Sequence, residues 1–479
     1  MYQATVFSAV ALLYAMVLCL FKNRKESSFN NFLKCLTLLF CALGFFRFFL
    51  PDAFVYVING AQEGNTYYDT TDVLQSILRW GYYICYSVLP MAVFYESRFF
   101  RNVASYFCMP FAILSAVFFD DHMEYFLSSK GYVGSKINLP PELRYALFIL
   151  ELVLAISIPL LMQIKFKHYF NFKSLKEWRD FILGTIFIIP AAMPAYIPQS
   201  FIGYNTLTPQ TFGSYHIIWI AILFAVTLAL YYLFRFKSFN ERFQLCMFLT
   251  ILLFFHYNSL YLMGVTIKRL PFQLCNIAAY FYIIAMAFKL EKMFNFCFLA
   301  NIVGTLIAIL MPDFSIGNYC FWNAHYIFEH SLVLIVPAMV MGLRIFKRVE
   351  LKSLKYYFIG FTAYFLFAFI TGTIINGYAE SSLERVNYFF MFDREVAFEY
   401  FPFLTFTENY RIAFGRFEVY PLIISIIYVG FSTLSFLFYL LVRFCYKLED
   451  DHLQLRRSGI DLYEKITRRT SKRPKDFID

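Results

Sequence analysis

The feature that most constrains this chain is a series of apolar runs, each long enough to cross a bilayer. The hydrocarbon core is about 30 Å thick, and a helix needs about 20 mostly apolar residues to cross it. Such runs recur about thirteen times in the sequence. They lie at 4–21, 32–50, 75–95, 102–119, 144–164, 179–197, 214–234, 243–263, 271–289, 294–311, 324–345, 355–375 and 420–445. The sequence therefore predicts an all-α, polytopic membrane protein of about thirteen transmembrane helices.

Composition places the chain in the membrane class and excludes a soluble globular enzyme. Hydrophobic residues make up 60% of the 479 residues and charged residues only 15%. The net charge of +10 comes from short basic clusters between apolar runs, which argues against a nucleic acid partner. Most of the ten cysteines fall within apolar runs and read as small buried side chains. A disulfide between Cys275 and Cys320 is the alternative.

The basic clusters also predict the orientation of the chain. Lys and Arg collect at 22–25, 98–101, 165–179, 235–242, 289–292 and 344–355, whereas the intervening loops are neutral, acidic or mixed. By the positive-inside rule, we expect a cell-membrane protein with its N-terminus outside and its C-terminus cytoplasmic. The tail from Lys465 to Lys475 is basic without an acid, so we expect it to contact anionic lipid.

Short matches between the two halves predict an internal duplication. Ser28-Phe29-Asn30 matches Ser238-Phe239-Asn240, and Lys173-Ser174-Leu175-Lys176 matches Lys352-Ser353-Leu354-Lys355. The predicted organisation is two tandem six-helix repeats followed by a last helix. Residues 1–209 form the N-terminal repeat, without a catalytic role; residues 210–446 form the second repeat with a long outer loop at 376–419; residues 447–479 form the cytoplasmic tail.

Ionisable residues gather near one end of the second repeat, between residues 270 and 330. Pro271 fits the first turn of a helix, which places Cys275 about 6 Å below its outer end. Asp313 closes the span before the helix that carries His325 and His330. The topology thus predicts that the thiol of Cys275, the carboxyl of Asp313 and the two imidazoles lie at the same depth in the membrane. Such groups are costly in lipid, so they mark a candidate functional site.

The residue types at this level suit nucleophilic acyl chemistry, because a thiol beside an imidazole is a potential nucleophile and base. We predict Cys275 as the nucleophile and His330 as the base, with His325 as a further catalytic candidate. Residues that would orient these groups or contact substrate are Gln273, Asp313 and Glu329. A metal site formed by Cys275, Asp313 and the two histidines is a weaker alternative, and we expect neither metal nor cofactor. Ordinary packing of a core cysteine and interfacial histidines is the structural alternative.

The motifs in this stretch resemble those of a known family. LPFQLC at 270–275, MPD at 311–313 and YIFEH at 326–330 are similar to motifs of the YwaF-type integral membrane proteins related to vertebrate transmembrane protein 164. The likeness covers roughly residues 238–388, including Asn387-Tyr388. The vertebrate relative is regarded as an acyltransferase that builds ether phospholipids, so the resemblance implies that Cys275 and His330 are its catalytic pair. Gln273 departs from the family, which often has His there.

These observations predict a function and its rival. The first is intramembrane transfer of an acyl group between membrane lipids by the Cys275/His330 pair, as in a phospholipid acyltransferase. The alternative is a non-catalytic carrier, or a scaffold subunit of a larger membrane complex that binds a protein partner at the outer loop 376–419. Membrane lipids are expected partners in either case.

Overall fold

The described part of the chain is almost entirely helical. The computed structural model describes residues 2–21, 25–46, 81, 84–119, 141–166, 174–191, 209–259, 270–312, 314, 321–379, 385–392, 398, 402–414 and 417–467. We number its helices α1 (Tyr2–Phe21), α2 (Glu26–Phe46), α3 (Ile84–Val93), α4 (Arg98–Val117), α5 (Pro141–Lys165), α6 (Leu175–Leu183), α7 (Ser214–Phe234), α8 (Phe239–Ser259), α9 (Leu274–Phe288), α10 (Glu291–Leu310), α11 (Phe321–Gly342), α12 (Leu351–Tyr378) and α13 (Pro421–Thr467). A π-helical turn, Ala104–Cys108, lies within α4, and another, Gly184–Ile188, continues α6.

Eight helices within the described ranges are long and apolar enough to cross a membrane. They are α1, α4, α5, α7, α10, α11, α12 and α13, and the shorter apolar helices α3 and α9 accompany them. Each of the predicted apolar runs overlaps one of the helices above, and the run 214–234 coincides with α7. The prediction of an all-α, multi-pass membrane protein is therefore confirmed.

The segment predicted as a long loop, 376–419, contains short ordered elements. Helix α12 continues to Tyr378, and 3₁₀ turns follow at Tyr388–Phe390 and Pro402–Asn409. Strands β1 (Ile412–Phe414) and β2 (Phe417–Val419) then pair antiparallel, with Ile412 opposite Val419. This hairpin leads directly into α13.

Helix α13 does not end where the apolar run ends. It continues through the first part of the predicted tail to Thr467. Arg348, which follows α11, donates to Asp450 at 2.6 Å and to the carbonyl of Tyr446 at 3.0 Å, and it also pairs with Glu449. These ionic contacts hold the polar part of α13 against the end of α11, which explains why the helix persists beyond its apolar segment.

The chain divides into two compact units. The first comprises Met1–Asn205, Met247–Leu270 and Tyr319–His325, and the second comprises Thr206–Cys246, Pro271–Asn318 and Tyr326–Asp479. The second unit thus draws on three separate segments. The predicted duplication, the boundary at residue 209 and the orientation in the membrane remain predictions.

In the first unit, α5 packs against α1, α2 and α4. The buried polar contacts of the first unit lie near the starts of α4 and α6. The carboxylate of Asp180 on α6 accepts hydrogen bonds from Ser97 at 2.5 Å and from the Tyr95 hydroxyl at 3.3 Å. Arg98 pairs with the buried Glu177 at 3.4 Å. Burying these carboxylates requires such donors, because an unpaired charge is expensive away from water.

In the second unit, α10 occupies the centre and packs against α9, α12 and α13. Lys289 ends α9 in the left-handed conformation, with φ 55°, and allows α10 to begin at Glu291. Helix α12 begins with a capping box, in which Glu350 and Ser353 each accept a backbone hydrogen bond from the other residue. Because α9 and α10 are joined at the Lys289 turn, the start of α9 lies at the other end of this helix pair.

Candidate functional site

Cys275 lies in the first turn of α9, in the second unit. The preceding Gln273 has extended backbone geometry, φ −67° and ψ 150°, and starts the helix. Cys275 is a free, partly exposed cysteine, and Cys320, its partner in the disulfide alternative, lies outside the described residues. Its Sγ donates to Oδ1 of Asn276 at 3.1 Å. The first turn of a helix favours negative charge, whereas a neighbouring carboxylate opposes it, so a thiolate at Cys275 requires a base that takes up its proton.

Glu329 on α11 is buried and belongs to the same unit as Cys275. Its carboxyl group interacts electrostatically with the Cys275 thiol. The hydroxyl of Tyr364 on α12 also interacts electrostatically with this thiol, and it donates to the carbonyl of Phe272 at 3.0 Å. Three helices of one unit therefore bring a thiol, a carboxyl and a phenol into one neighbourhood.

His330 follows Glu329 and is also buried. Its Nδ1 lies 2.9 Å from the carbonyl oxygen of Tyr326, and its ring centroid lies 4.0 Å from that of Tyr326. A carbonyl only accepts hydrogen bonds, so this contact places a proton on Nδ1 and the lone pair of the neutral ring on Nε2. Successive helical residues differ by about 100° in direction, so Glu329 and His330 leave α11 on different sides.

Gln273 is hydrogen-bonded to the backbone of a loop. Its Nε2 donates to the carbonyl of Asn387 at 2.9 Å, and its Oε1 accepts from the amide of Phe389 at 3.0 Å. We call residues 385–392 the clamp loop. Asn376 holds the start of this loop through two bonds to the Val386 backbone, at 2.9 and 2.7 Å. The motif that carries Cys275 is thereby tied to the clamp loop.

The clamp loop is packed by aromatic rings and is locally strained. Tyr388 is buried, and its ring lies 5.6 Å from that of Phe272. Phe389 and Phe390 adopt φ of 54° and 58°, a left-handed conformation that costs of order 1–3 kcal/mol per residue outside glycine. Phe389 fills a space beside Phe431, with centroids 4.9 Å apart. This packing and the Gln273 bonds compensate the strain.

His325 belongs to the first unit, together with His256 of α8. The two rings are stacked, with centroids 4.4 Å apart, and Nε2 of His256 lies 3.4 Å from the carbonyl of His325. The structure therefore groups Cys275, Gln273, Glu329 and His330 in one unit and His325 in the other. Asp313 lies outside the described residues. Across the described positions, no three His, Cys, Asp or Glu side chains are arranged to hold a metal ion.

Several residues at this site were missed in the sequence. Tyr326 and Tyr364 are ordinary aromatic residues in an aromatic-rich chain, so no local pattern singles them out. Asn387 and Tyr388 were noticed only through the resemblance. His216 is fully buried at the start of α7: its Nδ1 accepts a hydrogen bond from the Phe212 amide at 2.9 Å, and its Nε2 lies 2.6 Å from the Ile309 carbonyl oxygen.

A known protein family matches the part of the chain that contains this site. The profile of the TMEM164 family matches residues 211–439, a segment that begins just before α7 and ends within α13. It includes Cys275, the Glu329–His330 pair and the clamp loop. Searches of curated proteins and of solved structures gave no match. The match confirms the relation that the LPFQLC motif predicts: the chain is a multi-pass membrane protein related to the TMEM164 family through residues 211–439.

Proposed function

We propose that the protein transfers an acyl group between membrane lipids through a thioester on Cys275. The observation that carries this proposal is a free, partly exposed thiol in the first turn of α9, beside a buried carboxyl on α11. A cysteine with no reactive role is usually packed away, as Cys246 and Cys297 are in the same unit. Ionisable groups buried in a membrane protein are costly, and they usually mark a functional site.

In the first half-reaction, the thiolate of Cys275 attacks the carbonyl carbon of a lipid ester. The ester C–O bond breaks, a thioester forms, and the departing lipid oxygen takes up the proton that left the thiol. In the second half-reaction, the hydroxyl of an acceptor lipid attacks the thioester, and the thiolate leaves and is reprotonated. The overall transfer therefore needs no oxidant and no additional reactant.

We assign the proton transfers to one of two residues of α11, Glu329 or His330. The lone pair of His330 on Nε2 suits a general base, and the carboxyl of Glu329 interacts with the thiol itself. Removal of the general base should slow acyl transfer by about 10²–10⁴-fold. The clamp loop covers the start of α9 with aromatic side chains and would keep water from the thioester, which favours transfer over hydrolysis.

The proposal is tested with purified protein in phosphatidylcholine vesicles that contain a lysophospholipid acceptor and a donor with a labelled acyl chain. We expect Cys275→Ala to abolish transfer, and Cys445→Ala, at an exposed cysteine of α13, to leave it unchanged. Wild-type protein should carry label at Cys275 that hydroxylamine releases. Equal transfer by Cys275→Ala and wild type would remove the thioester route. Glu329→Gln and His330→Gln then identify the base.

The second candidate is a scaffold that binds a protein partner through the segment after the clamp loop. The side chains of Phe406, Tyr410 and Ile412 are 56%, 62% and 54% exposed, around the 3₁₀ turn and the hairpin. An exposed apolar patch of this kind suits a protein interface. Replacing Phe406 and Ile412 by Ser should then release a co-purifying subunit, and acyl transfer would be absent from the wild type as well.

A further inference from the structure

A groove runs along the second unit between α9, α10 and α12. Its cavity volume is about 560 Å³, within the range of ligand sites in proteins. The walls are aliphatic and aromatic, with Ile277 and Phe367 at one end and Lys292 and Tyr356 at the other. The described residues that line the groove do not include Cys275.

The length of the groove matches one leaflet of a bilayer. From Tyr356 to Phe367 it follows α12 for about 16 Å, at about 1.5 Å per residue. Half of the hydrocarbon core is about 15 Å. Ala363, an exposed residue near the middle of the wall, leaves room between the larger side chains. A groove with these dimensions and this lining fits one extended acyl chain along its whole length.

Charge is concentrated at the Lys292 end. Lys292 is exposed, and its Nζ lies 5.4 Å from the centroid of the Tyr356 ring. Of the neighbouring charges, Lys352 forms an ion pair of 2.8 Å with Glu350 and also interacts with Glu291, the first residue of α10. Helices α10 and α12 also both begin at this end, and their dipoles favour an anion there.

We propose that this groove binds one acyl chain of an anionic glycerophospholipid, with the lipid phosphate paired to Lys292. The ester groups of such a lipid lie only a few bonds from its phosphate, so they stay near Lys292 and about 16 Å from the Ile277 end. The bound lipid is therefore not the acyl donor for Cys275. The site goes beyond the proposed function and does not require it.

The test uses the full-length protein in phosphatidylcholine vesicles doped with phosphatidylglycerol that carries a photoactivatable diazirine at the end of one chain. Irradiation should label α9 and α12 around Ile277 and Phe367. Lys292→Gln should reduce this labelling several-fold, and Ala363→Phe should block it by filling the groove. Matched controls are Lys237→Gln, at another exposed lysine, and Ala221→Phe, at an exposed alanine of α7. Both should label like wild type.

The outcomes separate the parts of the proposal. The same diazirine on phosphatidylcholine should label the groove less than on phosphatidylglycerol, and Lys292→Gln should remove the difference. Equal labelling by the two lipids in the wild type overturns the anionic head group. Label that stays unchanged in Ala363→Phe, or in its milder version Ala363→Leu, overturns the groove as the site. Cys275→Ala should label like wild type, so failure of the acyl-transfer proposal leaves this result intact.

Discussion

Replacing Gln273 by Ala should open the clamp loop and leave the helices in place. The side chain joins the start of α9 to the loop through its bonds to Asn387 and Phe389, at 2.9 and 3.0 Å. Alanine removes both bonds, and neither backbone group gains a new partner from the smaller side chain. The loop also carries the strained residues Phe389 and Phe390, so it has an intrinsic tendency to open once it is released.

The size of the effect follows from these two bonds. Leaving a buried donor or acceptor unsatisfied costs about 1–3 kcal/mol, and the opened loop recovers part of this cost by meeting water. A total of about 2–4 kcal/mol is therefore expected for the opening equilibrium. Because each 1.4 kcal/mol is a factor of ten, the population of the open loop should rise by about 30- to 700-fold.

Hydrogen–deuterium exchange of the protein in nanodiscs measures this population directly. Peptides that cover residues 385–392 should exchange faster in Gln273→Ala, whereas peptides from α10 should keep the wild-type rate. Asn376→Ala, which removes two bonds at the start of the same loop, should give a similar increase. Gln244→Ala on α8 is the matched control, and its exchange should equal that of the wild type.

Unchanged exchange at residues 385–392 in Gln273→Ala would refute the assignment of Gln273 to the clamp loop. A Gln273 that contacts substrate, as the sequence predicts, would instead raise KM for lipid without changing exchange in the absence of substrate. The two roles are therefore separable in one variant.

Three further changes test other parts of the second unit. Arg348→Ala removes the cation that holds the polar end of α13, so limited proteolysis should cut the segment 447–467 faster than in the wild type, by about tenfold for a loss of about 1–2 kcal/mol. Gly372→Ala adds a Cβ that would collide with the Phe392 ring, so it should displace the clamp loop and accelerate its exchange as Gln273→Ala does. The hydrogen bond and charge of Lys352 hold the pKa of Glu350 below its usual range. The Glu350 cap of α12 therefore stabilises the fold at neutral pH and is lost as the pH falls through that lowered pKa, which exchange in the first turn of α12 would follow, with Glu350→Gln as the comparison.

The positions of the helices could be predicted from the sequence because each apolar run is bounded by charged or turn-forming residues. The start of α9 was predictable for the same reason, since Pro271 marks its approach and places Cys275 in the first turn. The side chains that surround Cys275 could not be predicted from the sequence. Whether Glu329 or His330 meets the thiol depends on the rotation of α11 about its axis, and one residue changes the direction by about 100°.

The contacts that could not be predicted from the sequence join residues that lie far apart in the chain. Gln273 bonds to Asn387 and Phe389, which lie 114 and 116 positions further along the chain, and no local sequence pattern predicts these partners. His325 lies five residues before His330, yet it stacks on His256, 69 residues earlier. The polar end of α13 reads as a solvated tail until its pairing with Arg348 is known. In each case the determining contact joins segments that only the folded chain brings together.

Helix α13 has 47 residues, which at about 1.5 Å per residue make a rod about 70 Å long. A bilayer with its head groups is only about 40–45 Å thick, so more than 25 Å of this rod stands clear of the lipid. Helix α13 packs on the central α10, and Arg348 holds it at residues 446–450. The same continuous helix therefore carries both the contacts with α10 and the polar segment that a partner in the aqueous phase would reach.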